Sequence, residues 1–244
     1  MERKKGLMVS EIAFANLPII LKNVGMDYFI LDYEHGAFDY SDLSKIIMNA
    51  KLSNIKCIVR IPNNQRKDII KIMDMGADGL LLPMTSFKED IKQVVKYSKY
   101  PPLGNRGIST MRAHTLYNPS NVLDYIKQAN QETMVFAQIE TVNGVNNVKE
   151  ILSVEGVSGA FVGPNDLSAD YGCLGDPNSS YILEAIEKVA KEAKLAHKIS
   201  GIITNNNNYL TKAKQCKMEY YSVGSELNLL KDGSKKIVDK IEEN

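Results

Sequence analysis

The chain has 244 residues, 44% hydrophobic and 24% charged, with a formal net charge of +1. That length suits one eight-unit β/α barrel, and the near-neutral balance argues against nucleic acid or an anionic membrane as partner. Cys57, Cys173 and Cys216 are widely separated, so neither a zinc site nor a disulfide framework is expected, and a reducing cytoplasm is the simplest location. No long apolar stretch follows the charged residues Met1 to Gly6, so neither a secretion signal nor a membrane span is predicted.

Short apolar runs alternate with longer amphipathic ones. Strands are predicted at 6–10, 27–33, 56–61, 79–84, 134–140, 159–164, 198–204 and 219–224. Helices are predicted near 12–24, 41–51, 65–75, 87–98, 142–153, 179–196, 207–216 and 227–241. In the second helix Leu43, Ile46, Ile47 and Ala50 recur at the three- and four-residue steps of one buried face. Ser41-Asp42 and Ser86 read as helix caps, and Gly76 as the residue that ends the third helix. The strands are apolar along most of their length, which indicates burial on both faces. Eight such units make an α/β protein with a single (β/α)8 TIM-barrel domain over 1–244. An open doubly wound sheet should carry a glycine-rich phosphate loop, and the sequence has no GxGxxG or GxxxxGK[ST]. Residues 99–120 form a long connection rich in Pro and Gly, followed by a helix-like piece at 121–130. Such a loop is either functional or a packed surface or subunit contact. The four asparagines 205–208 read as a surface loop.

Polar residues recur where the strands end. Glu140 closes Met134–Glu140, and Asp166 follows Gly163-Pro164-Asn165. His35 follows the second strand and Arg60 ends the third. Strand ends converge on one barrel face, where two acids can hold a divalent cation such as Mg²⁺ or Mn²⁺. Taken singly, each has a plainer reading. Asp166 can cap a helix ahead of Leu167-Ser168, Arg60 can pair with a neighbouring acid, and His35 can be a loop histidine. Asp74, in a last helical turn where an acid opposes the helix dipole, invites an outside partner; it or Asp32 could orient the His35 imidazole. His114 and His197 read as structural, and no GxSxG or HExxH suggests a hydrolase.

Seven motifs in order carry a family resemblance. They are Asp32-x-Glu34-His35-Gly36, Val59-Arg60-Ile61-Pro62, Asp74-x-Gly76-Ala77, Pro83, Pro101-Pro102-x-Gly104-x-Arg106-Gly107, Gln138-Ile139-Glu140-Thr141 and Gly163-Pro164-x-Asp166-Leu167-Ser168. From about residue 6 to 230 the chain resembles the HpcH/HpaI family of metal-dependent (class II) pyruvate aldolases. The resemblance implies a cytoplasmic carbon–carbon lyase that reversibly cleaves a 4-hydroxy-2-oxo acid to pyruvate and an aldehyde through a metal-stabilised pyruvate enolate. By matching position it implies Glu140 and Asp166 as metal ligands and Arg60 as the group holding the keto oxygen. It implies His35 as the proton-transfer residue with Asp74 as its carboxylate partner, and Gln138, Gly163 and Asn165 as the lining of the pyruvate site. The metal expected is Mg²⁺ or Mn²⁺, with Co²⁺ or Zn²⁺ also admitted. Asn165 departs from the small residue usual at its place, and Glu226 stands where Asp is more familiar and is not read as catalytic. No lysine sits at a late strand end for a Schiff base. Alternatives are a citrate lyase β-like or malyl-CoA-type lyase acting on an acyl-CoA ester, and a non-catalytic barrel binding module. The resemblance also implies a homo-oligomer, a hexamer of swapped dimers. The apolar positions Leu227, Leu230, Ile237 and Ile241 could exchange between chains or pack on their own barrel.

Overall fold

The computed structural model describes residues 2–243. Eight parallel strands close in sequence order into one barrel. They are β1 (Lys4–Val9), β2 (Tyr28–Asp32), β3 (Lys56–Arg60), β4 (Gly79–Leu82), β5 (Met134–Ile139), β6 (Gly159–Val162), β7 (Ile199–Ile203) and β8 (Tyr220–Ser225). Around them run α1 (Leu17–Asn23), α2 (Tyr40–Leu52), α3 (Arg66–Met75), α4 (Lys88–Ser98), α5 (Val122–Glu132), α6 (Val142–Leu152), α7 (Pro164–Asp170), α8 (Ser180–Leu195), α9 (Asn207–Gln215) and α10 (Glu226–Glu242). No described helix is long and apolar enough to cross a membrane.

The strands are buried on both faces, as their unbroken apolar runs require, and they separate two cores. Inside the barrel lie Tyr28, Ile30, Ile58, Leu81, Phe136 and Phe161. Between strands and helices lies a larger layer that includes the predicted face of α2, with Leu43, Ile46, Ile47 and Ala50 at most 1% exposed. A filled interior means that strand ends, not a pore, offer the working surface.

Several local expectations shift. The cap of α2 is Asp39, whose carboxylate accepts the Asp42 N–H at 2.8 Å, instead of Ser41-Asp42. At α4 the Asp90 carboxylate accepts the N–H groups of Ser86 and Phe87, so Ser86 precedes the helix without capping it. Gly76 ends α3 in the left-handed region at φ 101°, as predicted. The helix predicted over 12–24 starts only at Leu17, with Pro18 in its first turn. The asparagine run does more than fill a loop: Asn206 caps α9 by accepting from Asn208 and Tyr209 N–H.

Between consecutive parallel strands the chain returns from the strand-end mouth of the barrel to its floor, and after β4 helix α4 makes that return. The long connection after α4 therefore lies on the floor and does not line the mouth. There a single 3₁₀ turn, Ala113–Thr115, packs against the end of α3, with the His114 backbone 3.3 Å from where a Cβ on Gly76 would stand. Helix α10 does not pack its apolar side on its own barrel. Only Glu226 of α10 is buried, while Leu227, Leu230, Ile237 and Ile241 are 41%, 59%, 62% and 76% exposed.

Candidate active site

The register of β2 on β3 sets Asp32 directly opposite Arg60. Their side chains meet at two points, Nε to Oδ1 at 2.9 Å and Nη2 to Oδ2 at 2.6 Å. Asp32 Oδ1 also accepts the backbone N–H groups of Glu34 (3.1 Å) and His35 (3.3 Å). Asp32 thus fixes the guanidinium and the turn that presents His35, rather than the imidazole. The Glu34 carboxylate lies 3.4 Å from Arg60 Nε and 3.6 Å from His35 Nε2. Burial raises the Glu34 pKa, against the pull of Arg60. The bland reading of Arg60 as an ion-paired residue is therefore correct in itself. Its pairing still leaves Nη1 and one Nη2 hydrogen, and Arg60 lines the mouth.

Across the mouth, Glu140 follows β5 and is only 2% exposed. Gln138 Nε2 donates to its Oε1 at 2.7 Å and the Met84 N–H to its Oε2 at 2.9 Å. Burial pushes its pKa up to about 7, with nearby Asp166 adding to the rise and the Met84 N–H and Arg60 opposing it. Asp166 stands in the first turn of α7, whose cap position is Gly163, so Asp166 is not the cap. A Cβ on Gly163 would fall 2.5 Å from Glu140 Oε1, so the glycine leaves the carboxylate its place.

These residues share one cavity of about 260 Å³ lined by His35, Arg60, Gln138, Glu140, Gly163, Asn165 and Asp166. A groove of about 530 Å³ is larger, but it runs along α4 past Lys88, Lys92 and Lys96, and none of the residues lining the mouth lines it. No three His, Cys, Asp or Glu residues cluster for a metal among the described residues. The donor set is two carboxylates, which suits a hard cation that takes its other oxygens from water and substrate. A buried carboxylate whose pKa burial pushes up to about 7, with Gln138 Oε1 buried and unpartnered beside it among the described residues, fits a site that receives positive charge.

Asp74 is not brought to His35 within the chain. It sits in the last turn of α3, at the floor, because that helix carries the chain away from the mouth. There it binds Arg106 Nη2 at 2.9 Å and lies 3.9 Å from His114 Nε2. His114 also bonds Tyr125 and the Ser109 carbonyl, and burial followed by Arg106 lowers its pKa. Not assigned to the site by the sequence are Met8, Ile203, Thr204, Asn205, Gly224, Ser225 and Asn228, which complete the lining of the mouth. Five of them stand at the ends of strands seven and eight, so the strand-end rule that found Arg60 would have found them.

Comparison with known proteins follows the same lines. Residues 12–232 match the family model described as HpcH/HpaI aldolase/citrate lyase. The chain is 33% identical over 220 residues to "5-keto-4-deoxy-D-glucarate aldolase" of Escherichia coli O6:H1 (strain CFT073), covering 90% of this chain and 85% of that one. The HpcH/HpaI aldolase from Desulfitobacterium hafniense DCB-2 superposes with a TM-score of 0.94 at 29% identity, covering 100% of this chain and 94% of that one. Citrate synthase SbnG superposes at 0.86 with 24% identity, covering 99% and 94%, a likeness of fold alone.

Proposed function

Because this chain belongs to the HpcH/HpaI aldolase/citrate lyase family, whose members are carbon–carbon lyases, we propose that it is a divalent-metal-dependent pyruvate aldolase. Its substrate on this reading is a 4-hydroxy-2-oxo acid, cleaved reversibly to pyruvate and an aldehyde. The observation that carries the reading is the meeting of Glu140, Asp166, Gln138, Arg60 and His35 around one small mouth. The keto-deoxy-glucarate in the relatives' name has the oxo-acid end that such a mouth would receive.

Glu140 and Asp166 would hold Mg²⁺ or Mn²⁺, with Co²⁺ or Zn²⁺ also admitted. When bound, the cation supplies positive charge that draws electron density from the ketone. Arg60, clamped by Asp32, points its remaining N–H groups at the keto oxygen, where charge grows as the enolate forms. His35 accepts the proton of the 4-hydroxyl, the C3–C4 bond breaks, and its electron pair passes into the enolate. Protonation at C3 then gives pyruvate. In this chain Glu34, not Asp74, is the carboxylate beside the imidazole. Gln138, Gly163 and Asn165 complete the seat of the oxo acid, where Asn165 is exposed.

Unpaired Cys57, Cys173 and Cys216 fit a reducing cytoplasm. The bare apolar side of α10, with exposed Ile108, Met111 and Leu116 of the floor connection, supports a homo-oligomer. The test is exchange of pyruvate C3 protons with deuterated water. It is expected with Mn²⁺ and lost in excess EDTA; exchange that persists without metal would refute the reading.

A further inference from the structure

Building on the enolate reading above, we infer that the aldehyde half of the mouth selects a short, uncharged hydroxyaldehyde, and that Thr204, Asn205 and Asn228 make the selection. The oxo-acid seat takes up the side of β3, β5 and β6. The remaining wall, at the ends of β7 and β8 and the start of α10, is formed by Ile203, Thr204, Asn205, Ser225 and Asn228, with Met8 from β1.

The hydrogen bonds already made define what this wall still offers. Asn228 Oδ1 is taken by Asn205 Nδ2 (3.3 Å) and by the Ser225 N–H and hydroxyl (both 3.0 Å). Thr204 Oγ1 accepts the Asn206 N–H at 3.0 Å, so its own proton is free to be donated. Among the described residues, the groups left over are the Asn228 amide N–H₂, the Thr204 O–H and Asn205 Oδ1. That set mixes donors with an acceptor. A hydroxyl, which both gives and takes a hydrogen bond, satisfies it.

A carboxylate does not. It only accepts, so it would face Asn205 Oδ1 unfavourably. Arg60, the guanidinium lining the mouth, already faces Asp32 and Glu34. An alkyl chain would leave the buried Thr204 O–H unpartnered and would displace water from the exposed amides of Asn205 and Asn228 without replacing its hydrogen bonds. The whole cavity of about 260 Å³ must hold both reactants, so the aldehyde is short. In synthesis, C3 of the enolate bonds to the aldehyde carbon and the aldehyde oxygen takes a proton to become the 4-hydroxyl. All atoms are retained and no oxidant is needed.

The test uses the full chain with Mn²⁺, pyruvate and three aldehydes: glyceraldehyde, propanal of the same carbon number, and anionic glyoxylate. We expect kcat/KM for glyceraldehyde to exceed each of the others about tenfold or more. Asn205→Leu and Thr204→Val should each lower the glyceraldehyde-to-propanal ratio about tenfold, a ratio that partial unfolding does not move. Equal or greater turnover of propanal or glyoxylate by the wild type overturns the inference, as does an unchanged ratio in both variants. Pyruvate C3 exchange separates the two levels. Exchange without a glyceraldehyde preference overturns this inference alone, whereas no exchange with Mn²⁺ overturns the enolate reading and this one with it.

Discussion

Asp32 and Arg60 are cross-strand partners whose side chains close a two-point ion pair at the barrel mouth, and the same carboxylate anchors the turn carrying His35. One residue that does not itself line the cavity therefore sets the position of two that do. Asp32→Asn keeps the size but weakens the grip on the guanidinium. We expect kcat to fall about 10- to 100-fold with KM for the oxo acid changed far less, since a misplaced electrostatic donor acts mainly on the transition state. A KM effect as large as the kcat effect would contradict this.

Arg60→Lys keeps the charge and loses the planar fork that serves Asp32 and the substrate together. Turnover should drop on the order of 100- to 1,000-fold. Steady-state cleavage assays decide it, and near wild-type turnover would leave Arg60 a purely structural partner of Asp32.

His35 is expected to serve bond cleavage more than pyruvate binding. His35→Ala should lower cleavage by roughly 100- to 10,000-fold. Calorimetric pyruvate affinity in the presence of Mn²⁺ should change little. Complete loss of pyruvate binding would place His35 in the oxo-acid seat instead.

Glu140 makes the metal-free protein pH-sensitive. Its pKa is near 4.5 when unfolded and is pushed to about 7 when folded, so between those values the folded state binds more protons than the unfolded one. The stability of the metal-free protein should therefore fall as pH rises from about 4.5 to about 7, by a few kcal/mol at most. Mn²⁺ should raise the melting temperature more at pH 8 than at pH 5, because at low pH it must displace the proton. Glu140→Gln should flatten the pH trend, and Asp166→Asn should weaken the Mn²⁺ shift. A Mn²⁺ shift equal at both pH values would rule out Glu140 as a ligand.

Asp74 answers a different need. Arg106 is 3% exposed, its Nε has no hydrogen-bond partner, and Asp74 is its carboxylate. Asp74→Asn should lower the unfolding free energy by about 1–3 kcal/mol, less than for a fully buried pair because Asp74 is partly exposed. Urea unfolding measures it, and an unchanged midpoint would show that Arg106 does not depend on Asp74.

Much of this was legible beforehand, for physical reasons. Doubly buried strands have unbroken apolar runs, so the runs 27–33 and 56–61 end within a residue of β2 and β3, and the convergence of strand ends brings Glu140, His35 and Arg60 to one cavity. The Asp74–His35 pairing was not so legible, because a motif match says nothing about which end of a barrel a residue occupies. A helix that follows a strand must carry the chain back, and its last turn lies at the floor. Nor could the sequence tell that Asp32 would grip the guanidinium and leave the imidazole to Glu34. That depends on a register between strands 28 residues apart in the pair Asp32–Arg60. In the wall of Thr204, Asn205 and Asn228, the first two follow a strand end, but Asn228 comes from a helix start, which the strand-end rule does not reach.

Glu226 joins two parts of the molecule that the chain keeps far apart. Its Oε1 receives three successive N–H groups from residues 10–12, at the rim just past β1, while its backbone opens α10. Rim and terminal helix are thus riveted into one mechanical piece. Any neighbour that grips the bare side of α10 also pulls on the lip of the mouth, so assembly and the shape of the entrance cannot vary independently. Cutting the chain before Glu226 would do more than remove a helix: it would release the lip and strand three backbone donors at the edge of the site.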